Sequence, residues 1–218
     1  TRFRQRYLDL ISNADAIKTA KDRSLLVSTI RQFMSEKGFI EVETPMLVPI
    51  AAGGMAHPFT THHNALNRDL FLRIATELHL KRLIVGGIEK VFEIGRVFRN
   101  EGVDLQHNPE FTTMESYEAF SDYNDVMDMV EQLVSTAATT LNGSETVKYG
   151  EEELQFSPPW PRIDLREKII EVSGIDFFEH PELESLKTAM KEAGIDVSQQ
   201  VSWSGLLDKL ISDKVEPT

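Results

Sequence analysis

VFEIGRVFRNEG, Val91 to Gly102, followed after a short polar loop by HNPEFTTMESYEAF, His107 to Phe120, decides the fold. Counted with a period of two, Val91, Glu93, Gly95, Val97, Arg99 and Glu101 share one face of a strand, and Phe92, Ile94, Phe98 and Asn100 share the other. The first face is expected to be wet and to carry the chemistry; the second is core. On the return segment Phe111, Thr113, Glu115 and Tyr117 fall together. An antiparallel hairpin therefore brings a guanidinium, two carboxylates, a phenol and an aromatic face onto one surface. The strand arginine presents a planar, permanently charged fork suited to phosphate, Phe111 a face for a flat base, and Glu115 a negative partner for an ammonium. A nucleotide together with an amine is the simplest guest for that set.

Outward from the hairpin, the 218 residues, 41% of them apolar, suffice for a sizeable core in one large domain, or one with a small appendage. No apolar run approaches a membrane span, no secretory signal is visible and there is no cysteine, so the expected location is cytoplasmic, with no membrane contact and no disulfide framework. With 23 basic and 35 acidic residues the formal net charge is -12, which excludes a free-standing nucleic-acid binder relying on a basic field. Arg2, Arg4 and Arg6 do cluster, as a solvated terminal face.

Between Asp22 and Lys37, Leu26, Val27, Ile30, Phe33 and Met34 form one stripe of a helix that Gly38 ends. FIEVETP then reads as a strand with Ile40, Val42 and Thr44 on one face, closed by Pro45. AAGGM, Ala51 to Met55, supplies adjacent glycines for a turn or for close approach to a ligand. His57, His62, His63 and His107 raise the question of a metal. Adjacent histidines point to opposite sides of a strand and no pair has helical ligand spacing, so no metal site is assigned. DLFLRIA, Asp69 to Ala75, reads as a buried strand, with Thr76 capping a helix that runs to Gly86. Glu77 lies in that helix's first turn, where an acidic residue complements the dipole.

After the hairpin, Val126, Met129, Val130, Leu133, Val134, Ala137 and Leu141 make a core stripe on a helix capped by Asp122 and stopped at Asn142-Gly143. A hairpin follows through Tyr149-Gly150, then a proline-stiffened crossing into a helix with Asp164 and Glu167 as its capping box. Two shorter helices are predicted around Pro181 to Ala193 and Trp203 to Ile211. The fold class is α+β, a mixed, largely antiparallel sheet flanked by helices, since the pattern is built on hairpins rather than repeated βαβ units.

FRNEG, the loop and HNPEFTTMESYEAF resemble motif 2 of the class II aminoacyl-tRNA synthetases, in the form carried by lysyl-tRNA synthetases. The helix and strand of residues 23–45 resemble motif 1, which builds that family's two-fold dimer interface, although an ordinary helix-strand pair reads the same by pattern alone. RYLDLI resembles the segment that follows an N-terminal anticodon-binding barrel, so the chain is expected to start just past a domain boundary. The resemblance divides it into a catalytic core over 1–165, with motif 2 at about 91–120, and a small helical insertion with the start of the remaining core over 166–218. It also implies that motif 3 and the carboxylates for Mg²⁺ lie beyond Thr218, leaving no metal ligands within these residues.

By the same resemblance the substrates are lysine, ATP and tRNA(Lys). Arg99 would hold the α-phosphate, Glu101 the adenine amino group, His107 the distal phosphates with Mg²⁺, and Phe111 would stack on adenine. Gly53 would lie against the amino acid, Glu77 would take its α-amine, and Glu115 and Tyr117 would read its ε-ammonium. Three other readings stay open. A relative that lysylates a protein would share motif 2, although its usual wording departs from GRVFRNEG and YEAFSDY. An aspartyl or asparaginyl synthetase would fit FRNE but not Glu115. A dimerisation and partial ATP-binding module without turnover is the third, and these residues by themselves are expected to make no measurable adenylate.

Overall fold

The computed structural model describes residues 4–104, 107–198 and 200–217. Arg2, in the expected basic cluster, lies outside the described residues; Arg4 and Arg6 are exposed, and Arg6 pairs with the buried Asp9 at 2.8 Å. The chain divides into two compact units, 1–159 and 160–218, where the sequence reading set its division after residue 165.

The first unit runs α1 (Arg6–Ser12), α2 (Ala14–Glu36), β1 (Ile40–Glu41), β2 (Leu47–Val48), β3 (Thr60–His63), β4 (Arg68–Leu72), α3 (Glu77–Val85), β5 (Lys90–Phe98), β6 (Glu110–Glu118), α4 (Tyr123–Asn142), β7 (Thr146–Tyr149) and β8 (Glu152–Gln155). β5 is the centre of a mixed sheet, parallel to β1 and antiparallel to β6; β4 lies between β2 and β3 in a second, antiparallel sheet; β7 and β8 form a hairpin. The α+β class read from the sequence is the one observed. Among the described residues no helix is long and apolar enough to cross a membrane.

The hairpin of β5 and β6 follows the alternation that the sequence dictates. Val97 faces Phe111, Gly95 faces Thr113, Glu93 faces Glu115 and Val91 faces Tyr117, so the predicted polar set does share one side. On the other side Phe92, Ile94 and Met114 join Phe33, Met34, Phe39 and Leu133 in the core between the sheet and helices α2 and α4. Burying such side chains contributes roughly 1.5 to 3 kcal/mol each.

The first face is not wet along β5, however. Val91, Val97 and Glu93 are buried, because α3 packs against β5 and β6 and Arg73 is laid across the strand. Only the end carrying Arg99 and Glu101 opens to solvent.

Three further differences follow from packing. Helix α2 begins eight residues before the apolar stripe suggested, because Asn13 caps it through its side chain, and its C-cap Lys37 is followed by Gly38 with φ +85°. Phe33 and Met34 on that stripe are buried within the chain, whereas Ile40 at the start of β1 is 53% exposed. On α4 the capping box formed by Asp122 and Asp125 is present, but Val126 and Val130 are exposed while Leu133, Ala138 and Glu131 are buried. The helix therefore turns a different edge of its apolar stripe toward the core than an even count of apolar positions implies.

The second unit has α5 (Leu165–Ser173), α6 (Leu183–Glu192) and α7 (Trp203–Leu210), followed by a π-helical turn over Ile211–Val215. Asp164 caps α5 by accepting from the Glu167 N–H. Ile169, Ile175, Leu186, Met190, Ile195, Val197, Leu206 and Leu210 form this unit's own core, with Trp203, Leu207 and Ile211 packed against it.

Candidate functional site

At the open end of the hairpin, the backbone continues pairing just past β5: the Arg99 N–H donates to the Pro109 carbonyl at 2.9 Å, and the Asn100 N–H to the His57 carbonyl at 2.7 Å. These bonds fix where Arg99 leaves the sheet. Its guanidinium lies 5.2 Å from the Phe111 ring centre, a cation–π pair across the hairpin. Among the described residues no carboxylate is paired with it, so its donor fork is available to an anion. Arg99, Glu101, Gly102, His107, Asn108 and Phe111 line one cavity, which brings the four residues expected at the nucleotide end into a single place. His107 is held there by Asp104, whose carboxylate accepts from the His107 N–H at 2.8 Å and lies 2.8 Å from its Nδ1. A flat apolar face, a free guanidinium and an imidazole suit a base followed by phosphates.

Toward the closed end of the same face stands Glu115. Its Oε2 accepts from the Thr76 N–H at 3.3 Å and the Thr76 hydroxyl at 2.6 Å, and its Oε1 accepts from the Tyr117 hydroxyl at 2.8 Å. Three donors on one carboxylate hold it in a fixed orientation. Burial, the hydrogen bond to Glu115 and the negative charges of Glu115 and Glu77 push the Tyr117 phenol well above its ordinary value, so it remains a donor. Thr76 was expected as the cap of α3. It makes no side-chain cap, because its buried hydroxyl is spent on Glu115.

Glu77, in the first turn of α3, accepts from Lys81 at Oε1 over 2.5 Å. Gly53 sits against it at φ +91°, a conformation that L side chains rarely adopt. A methyl group there would come within 2.9 Å of the Ala75 Cβ and 3.2 Å of the Glu77 Cβ. Gly53, Glu77, Glu115 and Tyr117 thus form a second, acidic group on the face that also carries Phe111.

Arg73 was not found by sequence reasoning. Its side chain is 1% exposed and pairs through Nη1 with Glu93 Oε1 at 2.6 Å, the Glu93 side chain being 4% exposed. Nε donates to the Arg96 carbonyl at 2.9 Å, and Nη1 to the Thr44 carbonyl and hydroxyl at 3.1 and 2.9 Å. Thr44 in turn donates its hydroxyl to Glu93 Oε2 at 2.6 Å. The arginine fills the gap where the chain after β1 diverges from β5, and among the described residues its buried Nη2 has no hydrogen-bond partner. Gly95 is required beneath it, since any Cβ there would collide with that guanidinium. A glycine inside a strand, two residues from an acid on the same face, was the available signal.

The histidines of THHNAL serve local structure. His62 Nδ1 lies 2.8 Å from Asp69, and His63 Nδ1 accepts from the Leu66 N–H at 3.2 Å. Among the described residues no three acidic, imidazole or thiol groups converge on one point.

Residues 1–201 match the family model described as tRNA synthetases class II (D, K and N). A lysine–tRNA ligase of Dehalococcoides mccartyi (strain ATCC BAA-2266 / KCTC 15142 / 195) is 55% identical over 216 residues, which are 99% of this chain and 43% of that protein. Lysine–tRNA ligases of Staphylococcus haemolyticus and Oceanobacillus iheyensis are 49% and 48% identical over 217 residues, 100% of this chain and 44% of each. The chain spans less than half the length of these curated relatives.

Proposed function

This chain belongs to the class II tRNA synthetases (D, K and N), and we propose that the protein containing it activates lysine with ATP and passes the lysyl group to tRNA(Lys). The observation that carries the choice of amino acid is Glu115, an oriented carboxylate held by Thr76 and Tyr117 on the strand face that also bears Phe111. An ammonium is the partner such a group selects. Aspartate or asparagine would bring an acid or an amide to it, which disfavours both.

In this reading the lysine carboxylate attacks the ATP α-phosphorus in line, a C–O–P linkage forms, and the bond to pyrophosphate breaks. No protein nucleophile takes part. Phe111 stacks on adenine and Glu101 accepts from its amino group. Arg99, already over Phe111, holds the α-phosphate, and His107 meets the distal phosphates. Glu77 takes the α-ammonium beside Gly53, while Glu115 and Tyr117 take the ε-ammonium. The contribution of these residues is positioning together with countercharge aimed at the phosphorus. Mg²⁺ would neutralise the polyphosphate when bound. The donors described here, with Asp104 turned onto His107, do not form a set that fits it, and no step runs through it.

We also propose that the protein is a homodimer through motif 1. Leu25, Ile40, Met46, Leu47 and Ile50, in and just after that stretch, remain exposed, which supports an interface there.

Amino-acid-dependent exchange of pyrophosphate into ATP by the intact protein tests the activity. Exchange driven by lysine and not by aspartate or asparagine is expected. Exchange driven by either of those two, or none with any amino acid, overturns the assignment.

A further inference from the structure

Lys81 stands one turn after Glu77 on α3, with its ammonium 2.5 Å from Glu77 Oε1. A pair at this spacing on an exposed helix ordinarily does no more than support the helix. Here the same ammonium lies 5.6 Å from the ring centre of Tyr117, whose hydroxyl is bonded to Glu115. Lys81 therefore belongs to the amino-acid end of the site, although 55% of its side chain is exposed.

Two consequences follow from that position. Lys81 takes Oε1 of Glu77, whereas the other oxygen faces Gly53, where a methyl group would stand 3.5 Å from it. The carboxylate is held with one oxygen toward the loop and one toward the helix. Secondly, Glu77 and Glu115 bring two negative charges and Lys81 returns one, so the cluster carries a net charge of about minus one when all three are ionised. Free lysine, with two ammonium groups and one carboxylate, carries the complementary single positive charge.

We infer that Lys81 is a positioning and charge-setting residue: it orients Glu77 and matches the acidic cluster to a ligand of one net positive charge, against a dication of the same length. This rests on the lysine reading given above. The discriminating competitor is cadaverine, which is lysine without its carboxylate and bears both ammonium groups.

Calorimetric binding of lysine and of cadaverine to the intact protein provides the test, with Lys81→Met, Lys81→Arg and Glu115→Gln compared with the parent. Because the Lys81 charge is partly screened, the lysine-to-cadaverine affinity ratio is expected to fall about fivefold in Lys81→Met. It should return in Lys81→Arg, which keeps the charge. A purely helix-supporting role would leave the ratio unchanged while altering stability. An unchanged ratio in Lys81→Met, or a ratio in Lys81→Arg as low as in Lys81→Met, overturns the inference while lysine binding and its loss in Glu115→Gln leave the lysine site standing. Failure of the parent protein to bind lysine, or indifference to Glu115→Gln, overturns both.

Discussion

Glu93→Gln removes what is, among the described residues, the one charge partner of a guanidinium that is 1% exposed. Glu93 offers one oxygen to Arg73 and the other to the N–H and hydroxyl of Thr44, at 3.2 and 2.6 Å. Glutamine has a single acceptor oxygen, so either Arg73 or Thr44 must face an NH₂ group, and the buried positive charge is no longer balanced. Among the described residues Nη2 of Arg73 has no hydrogen-bond partner, so none there stands ready to take over. Breaking a buried pair from one side costs about 3 to 5 kcal/mol. For a unit of this size that lowers Tm by roughly 6 to 20 °C. Both tryptophans, Trp160 and Trp203, lie in the second unit, so their fluorescence follows that unit, while circular dichroism in the far ultraviolet follows the helices of both. The ellipticity transition should move down in Glu93→Gln. The combined Arg73→Met and Glu93→Leu variant should recover most of the loss, since an apolar pair of similar volume is often neutral or better. A shift below about 2 °C, less than 1 kcal/mol by the same scaling, would mean that the guanidinium is not held by this carboxylate, and would refute the account of Arg73 as the plug of the sheet.

Glu115→Gln should weaken lysine far more than ATP, by about 2 to 5 kcal/mol; equal losses for both ligands would give Glu115 a structural role alone. The raised Tyr117 pKa makes its neutral form part of the folded state, so the stability it contributes is complete below the unfolded phenol value of about 10 and is lost as pH rises beyond it. Tyr117→Phe should therefore flatten the fall of stability above pH 10 in urea titrations, and an unaltered slope would contradict the burial and hydrogen bond given as its cause. Sedimentation should find a dimer at tens of micromolar protein, on the order expected to populate a specific complex; a clean monomer would count heavily against motif 1 as an interface.

The hairpin was legible because its two faces obey different chemistry. Phe92 and Ile94 alternate with Glu93 and Gly95, and a one-residue slip would have put Glu115 into the core, so the shared face of Glu93 and Glu115 follows from the pattern. The end of α3 at Gly86 and the Asp122 cap were legible for local reasons, through short side chains and helix ends. What escaped was non-local. Thr76 carries the local signature of a cap, and only a carboxylate thirty-nine positions on explains why it does not act as one. Arg73 reads as an interruption in an apolar strand until Glu93, Gly95 and Thr44 are placed around it. The helix of residues 23–45 resembles an interface element, and Phe33 and Met34 of its apolar stripe are nonetheless taken up by the chain's own core. Periodicity locates an apolar face but does not say what covers it.

Phe111 and Glu115 stand four residues apart on one side of β6, so the covalent chain itself spaces them, at about 14 Å for an antiparallel rise of 3.4 Å per residue. In the proposed reaction the base is anchored at the first and the distal ammonium at the second, which makes the strand a gauge of substrate length. An amino acid one methylene shorter, with its carboxylate placed for attack, would leave its ammonium about an ångström short of Glu115. A displacement of that order near a reacting centre costs on the order of a hundredfold in rate. No steric wall is needed to reject the shorter homologue: a rigid distance between two anchors is enough.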